Sequence, residues 1–292
     1  MSHLLSKSKY IRGLQCDRAL WLDVHNPRLA KYTREQMLRF DRGREFEYAF
    51  KATFPDGIDI SAELKRNVDA YPERTAQLLD RLHTPSPLRG TPPNLGGELK
   101  KVLADNCLGS SPKLGEGDRR EAVVEECATP VTLFEAGFLH DEVLVLADVV
   151  RQREDGTLDI YEVKSGTALS KTYRRDAALQ HYVISHCREI NTFSIVYANP
   201  DGGFIKEELS AALQEQHGEI EQNIAAMKEI LSHGEPATPT GQHCLEPYAC
   251  PYQHYCAQGV RQMSLFGRSN INFTTWSSSI DDSEINSRFM EF

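Results

Sequence analysis

The sequence predicts an α/β fold, a central mixed β-sheet of about five strands flanked by helices. Three observations predict it. Residues 142–165, EVLVLADVVRQREDGTLDIYEVKS, place two apolar runs around Asp155-Gly156, a strong hairpin signal. A further apolar run, TFSIVYA at 192–198, follows a segment patterned as a helix, YRRDAALQHYVISHCRE at 173–189. Helical patterns also stand on either side of this core, at 34–51 and 210–232.

Taken in order, residues 6–24 read as one helix containing Cys16, with Tyr10, Leu14, Leu20 and Trp21 as its apolar groups. Thr33 and Gln36 form a capping box ahead of a helix at 34–51, whose buried side is drawn from Met37, Phe40, Phe46, Ala49 and Phe50. Residues 72–83 form a third helix with Pro72 in its first turn. Residues 84–118, rich in proline, glycine and serine, read as a long flexible connection. Strands resume at 121–126 and 131–139. After the 192–198 strand, Asn199–Gly203 is a turn and FIKEEL at 204–209 pairs back. The last long helix, 210–232, carries a packing stripe of Leu213, Ile220, Ile224, Met227 and Ile230.

At 292 residues, 40% hydrophobic and 26% charged, the chain has ordinary globular composition and can bury a full core. A net charge of −9 argues against a broadly basic nucleic-acid coat, though it leaves room for a local basic channel. No apolar run approaches the ~18–20 residues needed to span a bilayer, and the N-terminal stretch lacks the apolar core of a signal peptide. The expectation is a cytoplasmic protein with no membrane partner. Seven cysteines in such a chain point to reduced thiols, a metal or a cluster.

The central hairpin carries the chemistry. Glu162 and Lys164 are two apart, so both leave one face of their strand. With the turn at Asp155-Gly156, Asp148 falls opposite Glu162, and two carboxylates and an ammonium converge. Like-charged carboxylates held close need a cation, and such oxygen-rich sites suit Mg²⁺ or Mn²⁺. Near the C-terminus, HCLEPYACPYQHYC spaces Cys244, Cys250 and Cys256 as C-x5-C-x5-C. Pro247 and Pro251 break regular structure there, which lets the backbone wrap a metal group. Thiolates in this number suit an iron–sulfur cluster or zinc, with Cys16 as the fourth ligand. In a zinc site, His243 or His254 replaces one thiolate.

This hairpin resembles the core of the PD-(D/E)xK nuclease superfamily, where D…ExK binds the catalytic metal. Gln180 resembles the glutamine of the RecB-like branch, although the tyrosine of Q-x-x-x-Y is displaced: Ile184 stands in its place and the tyrosine is Tyr182. One cysteine before the core and three after it is similar to the iron–sulfur RecB-like nucleases, including the CRISPR-associated adaptation exonucleases and the AddB nuclease domain. Those families have C-x2-C-x5-C at the end; here only the interval from Cys250 to Cys256, with Cys250-Pro251-Tyr252, is kept.

The resemblance implies a restriction-endonuclease-like core with its N- and C-terminal segments joined by a four-cysteine 4Fe-4S cluster on Cys16, Cys244, Cys250 and Cys256. It implies a single RecB-like nuclease domain over 1–260: a helical part at 6–83, the connection at 84–118, the sheet core at 121–209 and a helix and cysteine segment at 210–256. A flexible polar tail, 261–292, follows. Asp148, Glu162 and the Val163 carbonyl would hold the ion, Lys164 would position or activate water, and Gln180 would orient substrate or water. Glu47, four residues after Gly43, reads from spacing alone as an i,i+4 partner of Lys51; the resemblance makes it a metal-facing carboxylate. Glu135 in FEAGF is either an edge-strand glutamate facing water or a further metal ligand.

The implied activity is metal-dependent DNA exonuclease, acting on single-stranded DNA or DNA ends in repair, recombination or CRISPR-type anti-phage defence. Two other classes stay open: a catalytically silent DNA-binding subunit of a larger nuclease complex, and an Fe–S sensor. Gln262–Phe266, QMSLF, resembles a sliding-clamp-binding peptide, or is a loose tail docking its Leu-Phe pair on the domain.

Overall fold

A computed structural model of the chain describes residues 5–80 and 131–264, with side chains described to residue 258. The expected connection at 84–118, the strand at 121–126 and the segment at 262–266 lie wholly or partly outside those residues or their described side chains.

A mixed sheet lies at the centre. Its strands are β1 (Leu5–Ser6), β2 (Ile58–Asp59), β3 (Thr132–His140), β4 (Val143–Gln152), β5 (Leu158–Lys164), β6 (Ile190–Ala198) and β7 (Phe204–Glu208). They run in the order β2-β3-β4-β5-β6-β7, with β1 paired to β4. Neighbours β3/β4, β4/β5 and β6/β7 are antiparallel; β1/β4, β2/β3 and β5/β6 are parallel. The hairpin forms as its turn chemistry demands, with Gly156 at φ 84°, a left-handed conformation that glycine adopts without Cβ strain. Two strands escaped the sequence pattern because each is two residues long and carries no alternation.

The flanking helices are α1 (Lys7–Gln15), α2 (Asp17–His25), α3 (Arg34–Lys51), α4 (Ile60–Leu64), α5 (Tyr71–Asp80), α6 (Lys171–Ser185), α7 (Ser210–Gln214), α8 (His217–Ser232) and α9 (Gln253–Ser264). The α3 capping box forms in both halves, Thr33 Oγ1 accepting from Gln36 N and Gln36 Oε1 from Thr33 N. Its expected buried side is only partly realised: Phe50 is 1% exposed, but Phe40 is 38% exposed and Ala49 faces outward.

Two expected single helices are each broken. The first splits at Cys16, whose backbone is extended (φ −167°, ψ 125°) and caps α2. This break turns Cys16 towards the C-terminal segment, where Cys250, Cys256 and Tyr255 pack with it around buried Ala19, Leu22 and Tyr252. The 210–232 helix breaks after Gln214, and its second half starts with His217, whose Nε2 lies 2.8 Å from His181 Nδ1. No described helix is long and apolar enough to cross a membrane.

The larger apolar layer joins α1, α5, α6 and α8 to one face of the sheet, through residues such as Tyr10, Leu79, Leu179 and Ile224. A smaller layer, centred on Phe50, Phe134, Val149 and Val163, joins α3 to the other.

Candidate active site

The site forms where β4 passes its edge from one partner strand to another. Val143 and Leu144 pair with β1, while Val149–Gln152 pair with β5. Between these stretches the ladder opens, and the Asp148 carboxylate fills part of the gap: its Oδ2 accepts from Val163 N at 2.7 Å. One step beyond the last β4–β5 pair, Val149 with Tyr161, the register sets Asp148 level with Glu162 as the sequence predicts. On the other side, the β3–β4 register sets Asp148 level with Glu135, so three adjacent strands bring acids to one height.

Both β3 and β4 shift their alternation at this level. Leu133 and Ala136, like Ala147 and Val150, belong to one apolar layer, and Phe134 and Val149 to the other. Glu135 accommodates the step with φ 54°, a conformation that non-glycine residues seldom adopt and that is found at functional sites. The result is that oxygens of Glu47, Glu135 and Asp148 all lie within 4.8 Å of one another, the one such group of three or more His, Cys, Asp or Glu ligand atoms among the described residues. Lys51 neutralises it in part, at 2.5 Å from Glu47 and 2.6 Å from Glu135. Glu47 is thus the i,i+4 ion-pair partner of Lys51 that its spacing suggests, and its carboxylate also lies near Asp148. Burial, offset in part by Lys51, pushes the Glu135 carboxyl up to about 7.

Glu162 is fully buried. Its Oε1 receives the ammonium groups of Lys7, at 2.9 Å, and of Lys164, while Oε2 has no hydrogen-bond partner. Lys164 also pairs with Asp176 of α6. Burial raises the Glu162 pKa, but Lys164 and Lys7 outweigh it and hold the group below the usual carboxylate range. Asp148 differs: burial and the Glu162 charge push its pKa well up, against the pull of Lys7. Two carboxylates in one buried site do not both ionise freely without added positive charge, and the two lysines favour the charge on Glu162 over Asp148. Burial works against the charges of Lys7 and Lys164, yet their carboxylate neighbours raise both pKa values, so both are ammonium ions at neutral pH.

Gln180 stands one turn after Asp176 on α6, and both of its amide atoms are buried with no hydrogen-bond partner. Asp176 and Lys7 are the members that sequence reading missed. Asp176 had a signal, as an acid one helical turn before Gln180; Lys7 had none beyond its charge.

Beside Lys7, Lys164 and Asp176 opens a groove of about 360 Å³. Arg12 and Arg39 add positive charge along its walls, and Tyr173, Tyr248 and Phe40 add aromatic surface. The α1–α3 region holds the C-terminal segment against it: Gln15 Nε2 donates to the carbonyls of His243 and Tyr248, each at 2.7 Å, and Gln36 Nε2 to that of Ala249 at 2.9 Å.

The described cysteines include Cys16, Cys244, Cys250 and Cys256 as free thiols. Burial raises the pKa of Cys16, Cys250 and Cys256, which pack against one small apolar cluster.

Fold and site thus define a mixed α/β protein with a buried carboxylate–lysine centre at the mouth of a basic, aromatic groove. No family model matches the chain, and no curated protein matches it. Among solved structures it is similar to one titled "Crystal structure of SSO0001", at 12% identity over 76% of this chain and 97% of that one. The TM-score of 0.25 is too low for that likeness to carry an argument.

Proposed function

We propose that this chain is a metal-dependent deoxyribonuclease of the RecB-like PD-(D/E)xK kind, acting as an exonuclease on single strands or DNA ends. The observation that carries the reading is the buried convergence of Asp148 and Glu162 with Lys164. Burying these carboxylates is costly, and buried, charge-coupled acids of this kind cluster at functional sites. The donor set fits a divalent ion: hard oxygens from Asp148 and Glu162, of which Glu162 Oε2 is buried without a partner. The Val163 carbonyl would complete that set, and Glu47 and Glu135 would serve a second ion.

Bound Mg²⁺ or Mn²⁺ supplies charge for the scissile phosphate and a water of lowered pKa. Asp148, fixed by the Val163 N–H, orients the set. Lys164, held between Glu162 and Asp176, keeps an ammonium beside the reacting phosphate, where it positions water and stabilises developing negative charge. Gln180, with both amide atoms unpartnered, is suited to orient substrate or water. The groove supports a nucleic-acid substrate, since cations follow a phosphate backbone and aromatic rings stack on unpaired bases.

The four cysteines would hold a 4Fe-4S cluster that ties α1 and α2 to the C-terminal segment, with a structural role. The packing of Cys16 with Cys250 and Cys256 supports this, and the thiol donor set fits iron–sulfur chemistry. Zinc is the alternative occupant.

Excess EDTA should stop cleavage of end-labelled DNA, and added Mn²⁺ should restore it at least as well as Mg²⁺. Cleavage that persists in EDTA would overturn the proposal.

A further inference from the structure

We propose that Lys7 is the built-in counter-ion of Glu162, the group that a divalent cation displaces when it takes that carboxylate. This rests on the metal-site reading above and adds to it a residue from outside the hairpin.

The placement of Lys7 is structural in origin. It directly follows β1, whose Leu5 is fully buried and paired with Val143, and it opens α1, capped by the Ser6 side chain. The backbone is therefore anchored to the sheet, and the ammonium reaches Glu162 Oε1 at 2.9 Å. Lys164 occupies the same oxygen. Two ammonium groups on one oxygen of a buried carboxylate, with the other oxygen unpartnered, is more positive charge than one carboxylate requires.

The two lysines are not equivalent. Lys164 has a second anchor in Asp176, and its side chain is 18% exposed. Among the described residues Lys7 makes its ion pair with Glu162 alone, feeling the Asp176 charge without pairing to it; its side chain is 27% exposed and, like that of Lys164, lines the groove. Lys7 therefore has less holding it and open volume to enter. A divalent ion on Glu162 would stand beside two ammonium groups, and like charges held close favour withdrawal of the less anchored one, Lys7, into the groove that Arg12 and Arg39 also line.

The test measures Mn²⁺ binding without reference to cleavage, by electron paramagnetic resonance of free Mn²⁺ titrated into chelator-stripped full-length protein. Lys7→Met should bind roughly tenfold more tightly than wild type, because a cation paired with a carboxylate shifts that carboxylate's affinity for a competing cation, the proton, by about one to three log units. Lys7→Arg should bind as wild type does. In a Glu162→Gln background, Lys7→Met should change nothing. Unchanged or weaker binding by Lys7→Met overturns the inference. Should Lys7→Met not fold, Lys7→Gln takes its place; if neither folds, Lys7 is a fixed structural partner and the inference fails. Equal Mn²⁺ binding by wild type and Glu162→Gln sinks the metal-site reading itself. Binding lost in Glu162→Gln but unaltered in Lys7→Met sinks only the role given to Lys7.

Discussion

Replacing Lys164 by Met should cost stability as well as activity, and the cost follows from its two partners. The ammonium pairs with Glu162 and Asp176, whose side chains are 0% and 10% exposed. Without it Glu162 keeps Lys7 at 2.9 Å, but Asp176 loses the ammonium its Oδ2 pairs with, and its Oδ1 is already unpartnered. Removing one member of a buried pair costs about 3–5 kcal/mol. Because Glu162 retains a partner and Asp176 can take up a proton, the lower end, about 3 kcal/mol, is expected. At ~2–4 °C per kcal/mol for a domain of this size, the melting temperature should fall by about 6–12 °C. Burial already raises the Asp176 pKa. The folded variant therefore holds a proton that the unfolded chain has released, and its deficit should grow as pH rises through that raised value. Thermal unfolding followed by circular dichroism at pH 5 and pH 8, without divalent ions, reads this directly. Lys164→Met/Asp176→Asn should regain most of the stability while remaining inactive. A Lys164→Met protein that melts within a degree of wild type, or a double variant with no rescue, would refute the electrostatic account.

Two further outcomes are expected. Cys16→Ser should lose cluster colour and about four irons per chain from anaerobically purified protein, as Cys250→Ser should, with new protease cuts confined to the C-terminal segment; full iron content in Cys16→Ser would make Cys16 an ordinary thiol. The Glu135 carboxyl, raised to about 7, keeps a proton in the folded state that the unfolded chain loses near the ordinary carboxylate value. Its contribution to stability should thus fall as pH climbs through that window, and Glu135→Gln should flatten the profile; an unchanged slope in the variant contradicts the assignment.

The hairpin was legible because its register is set locally: an Asp-Gly turn and two apolar runs are enough to level Asp148 with Glu162. The α3 boundary was legible for the same reason, since its capping box lies within four residues. The paired lysines were not. Lys7 meets Glu162 across 155 positions, through a two-residue strand with no periodicity to reveal it. Lys51 meets Glu135 across 84, at a backbone step that only the β3–β4 pairing creates. The break at Cys16 was equally hidden, because α1 and α2 together read as one amphipathic stretch. Tyr10, Leu20 and Leu22 are all nearly or fully buried, so α1 and α2 dock on the core even where cysteine ligation is removed. The destabilisation by Cys16→Ser should accordingly be concentrated in the C-terminal segment.

The most direct test of the central claim is the time course of Mn²⁺-dependent product release from end-labelled DNA by wild type and by Asp148→Asn. The substitution keeps the size of the side chain and an acceptor for the Val163 N–H, and removes only the charge offered to the ion. Steady release of short products by wild type, with at least a hundredfold loss in an equally folded Asp148→Asn, is the predicted result; equal rates for the two proteins would contradict it.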